Sequence, residues 1–258
     1  MKDNTPIGNE KAINFSNGRA GTEFIDALKT IDYAIFDFDG TLYPHLFIFD
    51  LTKDIFMQHA NEETYKEKLV NLGQIAEIYK NGDFEEAYSK FIGLMKGESK
   101  EEFKKNAEKM ISNTYPYAKL TIKKLREKYG IRSYLISLTA DFIAEVAKKQ
   151  FDFEETFSVK YVSKNHDAGN KFTGDTLDPI QDQQSMKKAM LQKLMALEHN
   201  RNKDKFICFF DSSDDIPIAE IASLRVGVNP KPELSKHISF DLILVNREDP
   251  WKEIYNII

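Results

Sequence analysis

Short runs of apolar residues recur along the chain, and each is about as long as a β-strand. The four strongest occupy residues 33–36, 133–136, 206–210 and 242–245. Their apolar positions are consecutive rather than alternating, which is typical of strands that helices cover on both faces of a parallel sheet. Two weaker runs, at 158–162 and 225–228, predict two further strands.

Segments with helical periodicity separate these strands. In residues 118–129, three aliphatic side chains lie near helical spacing, and Gly130 follows where a helix cap is expected. Residues 186–197 repeat apolar positions in the same way. Strands that alternate with helices imply right-handed crossovers, so the pattern predicts an α/β fold with a doubly wound parallel sheet.

Residues 46–113 interrupt this alternation, because they contain charged amphipathic segments and no convincing strand. The helical segments within them are 62–78, 84–95 and 100–111. Glycines separate these segments, as expected between short helices. We therefore predict a mainly helical cap at 46–113, inserted into a catalytic core that consists of residues 31–45 and 114–258.

Residues 1–30 are polar and contain several glycines. They are expected to form a loosely ordered extension with one helical turn around 24–28. This segment has no apolar stretch typical of a secretory signal, and no run approaches the roughly 20 apolar residues that span a bilayer. The single cysteine, Cys208, lies in an apolar run and is expected to be a buried, inert thiol. These features favour a cytoplasmic protein.

The composition excludes some classes of partner. The chain has 258 residues, of which 41% are hydrophobic, so a sizeable core is expected. Its net charge of −5 argues against binding to nucleic acid or to a membrane surface, since such proteins tend to be basic.

Two aspartates, Asp37 and Asp39, follow the first strong apolar run in the sequence Asp-Phe-Asp-Gly-Thr-Leu. Residues two apart at a strand end point the same way, so both carboxylates are expected in one small space. They repel each other unless a proton or a cation lies between them, and Mg²⁺ prefers such oxygen ligands. Gly40 permits a tight turn, so that Thr41 and the backbone N–H groups after it can face an anion. A lone Asp-X-Asp would more often be an acidic turn.

Polar side chains also end two other predicted strands. Asp211 and Asp215 follow the third strong apolar run, and Ser137 ends the second. Ligands of open α/β sheets bind outside the carboxyl ends of the strands, so these residues are expected to converge with Asp37. A hydroxyl before a helix N-terminus suits a phosphate oxygen. Helix capping alone would also account for each feature.

A lysine near the start of the helix predicted at 186–197 is a further candidate. Lys187 has Leu191 and Leu194 at i+4 and i+7, as expected for a residue on the helix face that packs against the sheet. Lys188 does not have this spacing, so Lys187 is the preferred candidate. Taken alone, most helix lysines are simply solvated.

Together, these features resemble the haloacid dehalogenase-like hydrolases over residues 31–258. The first motif of that family, a strand followed by Asp-X-Asp-Gly-Thr, is matched in full. Ser137 corresponds to the hydroxyl of its second motif, and Asp211 and Asp215 correspond to the paired acids of its fourth. Phe210 stands where the family usually has glycine.

The branch of the family is indicated by further segments. Residues 211–230, the sequence Phe-Thr-Gly-Asp at 172–175 and the position of the cap resemble the phosphoserine phosphatase-like branch. The pair Tyr43-Pro44 resembles a nucleotidase-like branch instead. An acid two residues after the first aspartate is what phosphatase chemistry requires, so its presence argues against a dehalogenase.

The resemblance implies an Mg²⁺-dependent phosphatase that acts on a small phosphorylated metabolite. Asp37 would attack phosphorus to form an aspartyl-phosphate, and Asp39 would serve as the general acid and base. The phosphate oxygens would contact Thr41, Ser137 and Lys187. The metal ligands would be Asp37, Asp211, Asp215 and the backbone carbonyl of Asp39.

Two other functions fit the same motifs: a phosphotransferase that uses the same aspartyl-phosphate, and a catalytically silent binding or regulatory protein. The intact acids Asp37 and Asp39 argue against the silent protein. The substrate and the oligomeric state stay open. The aromatic residues of the predicted cap are expected to form its core rather than a substrate cage; they include Phe47, Phe49, Phe56, Tyr79 and Phe91.

Overall fold

The computed structural model describes residues 12–14, 21–166, 169–199 and 205–258. The strands are β1 (Ala12–Asn14), β2 (Tyr33–Phe36), β3 (Arg132–Ala140), β4 (Glu155–Val159), β5 (Tyr161–His166), β6 (Gly169–Thr176), β7 (Phe206–Phe210), β8 (Leu224–Val228) and β9 (Leu242–Val245). The helices are α1 (Gly21–Leu28), α2 (Phe47–Gln58), α3 (Glu63–Lys80), α4 (Phe84–Leu94), α5 (Lys100–Met110), α6 (Pro116–Tyr129), α7 (Asp141–Phe151), α8 (Gln183–His199), α9 (Ile216–Ala219) and α10 (Trp251–Ile257).

The main sheet has seven strands in the order β1-β9-β8-β7-β2-β3-β4. Six of them run parallel, and β1 pairs antiparallel with β9 at one edge. After β1, the chain enters the middle of the sheet at β2, continues outward through β3 to β4, and then returns to β7 on the other side of β2. This order confirms the predicted doubly wound α/β fold. It also brings the carboxyl ends of β2, β3 and β7 next to one another.

The central strands are fully buried, as their consecutive apolar residues predict. Phe36 of β2 stacks on Phe209 of β7 with ring centroids 4.7 Å apart. Trp251 of α10 packs against Phe209 at 5.0 Å, and its indole N–H donates to the Thr41 carbonyl at 2.9 Å. Trp251 therefore links the packed aromatic residues of the sheet to the turn that follows β2. Cys208 is buried in β7, and burial raises the pKa of its thiol, as expected for an inert cysteine.

The predicted strand at 158–162 is wrong. β4 ends at Val159, and β5 starts at Tyr161 and belongs to a separate two-stranded sheet with β6. One apolar run in the sequence thus contributes to two sheets, because the chain changes direction at Lys160. The N-terminal segment also differs from the expectation of loose order, since α1 is eight residues long and buries Phe24 and Leu28 completely. Most of residues 1–20 lie outside the described residues.

Helices α2–α5 all lie between β2 and β3 in the chain, which confirms a mainly helical insertion. The hairpin of β5 and β6 binds this insertion through main-chain hydrogen bonds, from Gly97 N–H to the Phe172 carbonyl (2.9 Å) and from Phe172 N–H to the Glu98 carbonyl (3.0 Å). On the core side, the Lys100 ammonium of α5 lies 2.9 Å from Asp141 Oδ2 of α7. The insertion is therefore held over the carboxyl end of the sheet. None of the described helices is both long and apolar enough to cross a membrane.

Candidate active site

A cavity of about 330 Å³ lies between the carboxyl ends of the central strands and the helical insertion. Four of the residues predicted from the sequence line it: Asp37 and Asp39 after β2, Ser137 of β3, and Asp211 after β7. The three strand ends that carry these residues lie at least 74 positions apart along the chain, and the parallel register of β2 with both neighbours brings them together. The convergence expected from the strand ends is therefore present in the structure.

Lys187 lies directly beneath these carboxylates and is 1% exposed. Its ammonium is 3.0 Å from Asp37 Oδ1, 2.8 Å from Asp214 Oδ2 and 2.6 Å from Asp215 Oδ1. Lys188 is exposed on the other side of α8. Of the two lysines considered from the sequence, only Lys187 reaches the site.

The site holds more negative charge than this one ammonium balances. Burial raises the pKa of Asp37 and Asp215 and, together with the neighbouring Asp37 charge, raises the pKa of Asp211 to about 7. Burial alone would lower the pKa of Lys187, but the charges of Asp214, Asp215 and Asp37 raise it well above its usual value. Lys187 therefore stays charged, and a further cation would stabilise the remaining carboxylates.

Three of the carboxylates are close enough to share a metal ion. One oxygen each of Asp37, Asp211 and Asp215 lies within 4.8 Å of the other two. Asp211 Oδ1 and Asp215 Oδ2 are buried and have no hydrogen-bond partner among the described residues. Buried carboxylate oxygens without partners are costly, and oxygen donors are what Mg²⁺ prefers. The residues present thus fit a divalent cation.

The turn after β2 approaches the carboxylate of Asp211 so closely that only glycine fits. Gly40 has φ = +78°, and a Cβ atom on it would lie 2.4 Å from Asp211 Oδ2. We expect Gly40→Ala to displace this carboxylate, to destabilise the fold by about 2 kcal/mol and to lower turnover at least about tenfold. Thermal unfolding and steady-state kinetics measure the two effects.

Gly82 offers a matched control for this substitution. It also has positive φ (+90°), but nothing lies within 4 Å of the position of its Cβ. Gly82→Ala therefore introduces comparable backbone strain without the contact to Asp211. Equal losses of turnover in the two variants would contradict the account of Gly40.

Asp39 connects the site to the helical insertion. Its Oδ1 accepts a hydrogen bond of 2.6 Å from the backbone N–H of Phe47, in the first turn of α2. Leu46, at the N-cap position of α2, has no side-chain acceptor for the first N–H groups of the helix. Asp39 supplies an acceptor for one of them. Burial raises the pKa of Asp39 to about 8, although the Phe47 N–H opposes the shift. A carboxyl group that holds its proton near neutral pH suits a general acid.

Ser137 and Thr41, the two hydroxyl residues predicted to bind phosphate, differ in position. Ser137 is buried, lines the cavity, and its Oγ accepts from the Thr139 N–H at 3.3 Å, which leaves its own proton to donate. Thr41 is fully buried and does not line the cavity. The backbone N–H groups of Gly40, Thr41 and Leu42 bond to carbonyls within the turn. The geometry therefore does not support the predicted contacts of Thr41 and of this turn with an anion.

Sequence reasoning missed Asp214. Asp214 contacts Lys187, accepts a hydrogen bond from the Ser212 hydroxyl and lines the cavity. Burial works against its charged form, but Lys187 and the hydrogen bonds lower its pKa below the usual value. In the sequence it is the middle acid of a helix-capping cluster, and nothing local distinguishes it from a cap.

Other residues that line the cavity are not predicted by any sequence motif. Lys231 lies at its edge, and the backbone N–H of that residue bonds to the Asp211 carbonyl at 2.8 Å. The far wall consists of aromatic side chains of α2, α3 and α4, and two of these, Phe49 and Tyr79, are residues expected to be cap core. By contrast, Phe47 is fully buried.

The sequence model of the haloacid dehalogenase-like hydrolases matches residues 34–220, which is more than half of the chain. A comparison with curated protein sequences found no match. Solved structures show the same fold. A HAD-family hydrolase from Salmonella enterica serovar Typhi is similar at a TM-score of 0.66 and 20% identity, with 88% of this chain and 70% of that chain covered.

Two further solved structures carry the same fold. A substrate-bound phosphoserine phosphatase has a TM-score of 0.63 and 21% identity over 88% of this chain and 98% of that one. Cytosolic 5′-nucleotidase IIIB bound to cytidine has a TM-score of 0.61 and 16% identity over 92% and 88%. The phosphoserine phosphatase-like arrangement predicted from the sequence is thus found among the structural neighbours. The family match covers the carboxylate strand ends and the inserted helices, and the chain belongs to the haloacid dehalogenase-like hydrolases.

Proposed function

We propose that this protein is an Mg²⁺-dependent phosphomonoester hydrolase that works through an aspartyl-phosphate on Asp37. The main support for the proposal is the position of Asp37 between the Lys187 ammonium and the Asp39 carboxyl group. One oxygen of its carboxylate lies 3.0 Å from the buried Lys187 ammonium, while the residue also lines the cavity beside Asp39. A fixed carboxylate next to a protonated acid is what nucleophilic attack on a phosphate ester requires.

In the first step, a carboxylate oxygen of Asp37 forms a bond to phosphorus and the bond from phosphorus to the ester oxygen breaks. Asp39 gives its proton to that oxygen, so the leaving group departs as an alcohol. Its raised pKa keeps the proton available near neutral pH. In the second step, water attacks phosphorus, Asp39 takes the proton, and the Asp37 carboxylate is released with inorganic phosphate.

Ser137 and Lys187 stabilise the negative charge of the transferring group. The Ser137 hydroxyl is oriented by the Thr139 N–H and can donate to a phosphate oxygen in the cavity. Lys187 supplies a fixed positive charge behind Asp37, where desolvation strengthens its field. The hydrogen bond of 2.8 Å from the Tyr88 hydroxyl to the Leu138 carbonyl ties the cap to β3 beside this space.

Asp37, Asp211 and Asp215 would hold Mg²⁺, together with the backbone carbonyl of Asp39. A bound Mg²⁺ supplies charge neutralisation, so that an anionic ester can approach the Asp37 carboxylate. The unpartnered oxygens of Asp211 and Asp215 support this assignment.

Binding of Mg²⁺ is expected to stabilise the fold. At a concentration about 100 times its dissociation constant, a ligand of the native state adds about 2.7 kcal/mol, which raises the Tm of a chain of this size by roughly 5–10 °C. Thermal unfolding with and without Mg²⁺ measures this shift. Asp211→Asn should abolish most of it.

Asp175→Asn is the matched control for that experiment, since Asp175 is an exposed acid outside the site. The Mg²⁺-dependent shift should be unchanged in this variant. A shift of the same size in Asp211→Asn would contradict the assigned ligand.

Release of inorganic phosphate from a generic aryl phosphate tests the activity itself. We expect Mg²⁺-dependent release that EDTA abolishes. The absence of hydrolysis over a broad panel of phosphomonoesters would overturn the proposed function. Turnover that rises with an added alcohol, with phosphate transferred to it, would favour a phosphotransferase instead.

A further inference from the structure

The wall of the cavity opposite the carboxylates is aromatic. Four side chains of the inserted helices form it, and we call them the aromatic wall: Phe49, Tyr79, Phe84 and Tyr88. Each ring contacts the next in the order Phe49, Tyr79, Phe84 and Tyr88. The centroid distances are 6.3 Å from Phe49 to Tyr79, 6.3 Å from Tyr79 to Phe84, and 5.1 Å from Phe84 to Tyr88.

A hydrogen bond fixes Tyr88, and packing against neighbouring rings holds Tyr79. The Tyr88 hydroxyl donates to the Leu138 carbonyl of β3 at 2.8 Å. Tyr79 packs between Phe49 and Phe84, and burial raises the pKa of its hydroxyl. Because packing and the Tyr88 hydrogen bond hold these rings in place, their faces and edges bound the cavity. The wall is pre-organised for contact with an apolar group.

The acidic and basic side chains that line the cavity come from outside helices α2–α4, and they include His45 just before α2. Among the described residues that line it, none from α2, α3 or α4 has an acidic or basic side chain. The lining carboxylates belong to the strand ends, and Lys231 lies beside Asp211, where its charge lowers the pKa that burial raises. A charged leaving group that faces the wall would therefore lose its hydration without gaining a partner, which is unfavourable.

We infer that the leaving group of the substrate is an uncharged alcohol that carries an aromatic or similarly apolar ring, and that the aromatic wall selects it. This inference rests on the proposed phosphatase function and specifies its substrate class. Rings of this kind gain both burial and favourable stacking or edge contacts against the wall. An amino-acid phosphate such as phosphoserine brings an ammonium and a carboxylate to the same wall and is disfavoured.

Three primary alkyl phosphates test the inference: benzyl phosphate, ethyl phosphate and O-phospho-L-serine. All three release a primary alcohol, so their comparison reports mainly on recognition of the leaving group. We expect kcat/KM for benzyl phosphate to exceed that for ethyl phosphate about 30-fold, since a buried ring contributes on that scale. Phosphoserine should fall at least about tenfold below ethyl phosphate, because its charges stay unpaired.

Phe84→Leu tests the wall directly, since it removes a half-buried ring and keeps an apolar side chain. The preference for benzyl over ethyl phosphate should fall about fivefold in this variant. Tyr117→Leu is the control, because Tyr117 packs on Tyr255 away from the cavity, with ring centroids 5.4 Å apart. Its preference should match that of the wild type.

The outcomes distinguish this inference from the function on which it rests. Hydrolysis of the esters without a preference for benzyl phosphate, a preference for phosphoserine, or an unchanged preference in Phe84→Leu overturns the inference alone. If neither these three esters nor any other phosphomonoester is hydrolysed, the proposed function is overturned, and the inference with it.

Discussion

Replacing Asp37 by asparagine is expected to reduce Mg²⁺-dependent phosphate release at least about 10,000-fold, as removal of a nucleophile does in other enzymes. Asparagine has nearly the same shape, so the cavity and its packing should be preserved. The amide cannot form an aspartyl-phosphate, and it withdraws one of the three carboxylates that contact Lys187. The loss should appear in kcat, measured with an aryl phosphate under saturating Mg²⁺.

The stability of Asp37→Asn separates a chemical effect from a folding defect. Asp37 is buried and its pKa is raised, chiefly by burial, so its charge costs free energy in the absence of metal. Without Mg²⁺ the variant should therefore unfold at the wild-type temperature or above. Asp175→Asn should retain full activity. Substantial turnover by a well-folded Asp37→Asn would contradict the mechanism.

Replacing Lys187 by methionine should destabilise the metal-free protein by about 3–5 kcal/mol, the usual effect of leaving buried charges without a partner. Methionine fills a similar volume, but three carboxylates lose their ammonium. The Tm in EDTA should fall by roughly 10 °C. Turnover in Mg²⁺ should fall about 100- to 1,000-fold, because a fixed charge near the transferring phosphate is lost.

Lys188→Met is the matched control, since the two lysines are adjacent and Lys188 is exposed. Its stability should change by no more than about 0.5 kcal/mol. A small effect of Lys187→Met on both Tm and turnover would contradict the role assigned to Lys187. So would equal effects of the two substitutions.

The parts of the structure that the sequence predicts are those with local signals. Consecutive apolar residues predict β2, β7 and β9. Asp37 and Asp211 are predicted as site residues because each is an acid directly after such a run. Parallel strands share one carboxyl edge, so local patterns were enough to predict that these side chains meet.

The parts that the sequence did not predict depend on tertiary contacts. The hairpin of β5 and β6 has few consecutive apolar residues, and its position depends on main-chain bonds to Gly97 and Glu98. Thr41 and the N–H groups after it are predicted to face a phosphate, whereas the structure buries Thr41 away from the cavity and pairs these N–H groups with carbonyls of the turn. Both differences have one cause, which is that a local pattern does not show what the backbone bonds to.

The aromatic residues of the insertion illustrate the same limit. Phe47 and Phe49 are two positions apart in one helix, yet Phe47 is fully buried and Phe49 lines the cavity. The hydrophobic character of both residues predicts that they avoid solvent, but it does not distinguish a core from the wall of a cavity. Only the packing of α2 against α3 and α4 makes that distinction.

Trapping of the covalent intermediate would show whether Asp37 is the nucleophile. The protein would be mixed with a phosphomonoester and Mg²⁺, quenched in acid within a single turnover, and treated with borohydride, which reduces an acyl phosphate. Mass spectrometry of the peptide that contains Asp37 should then show homoserine at that position and aspartate at Asp39. Hydrolysis without modification of Asp37, or with phosphate on another residue, would contradict the account.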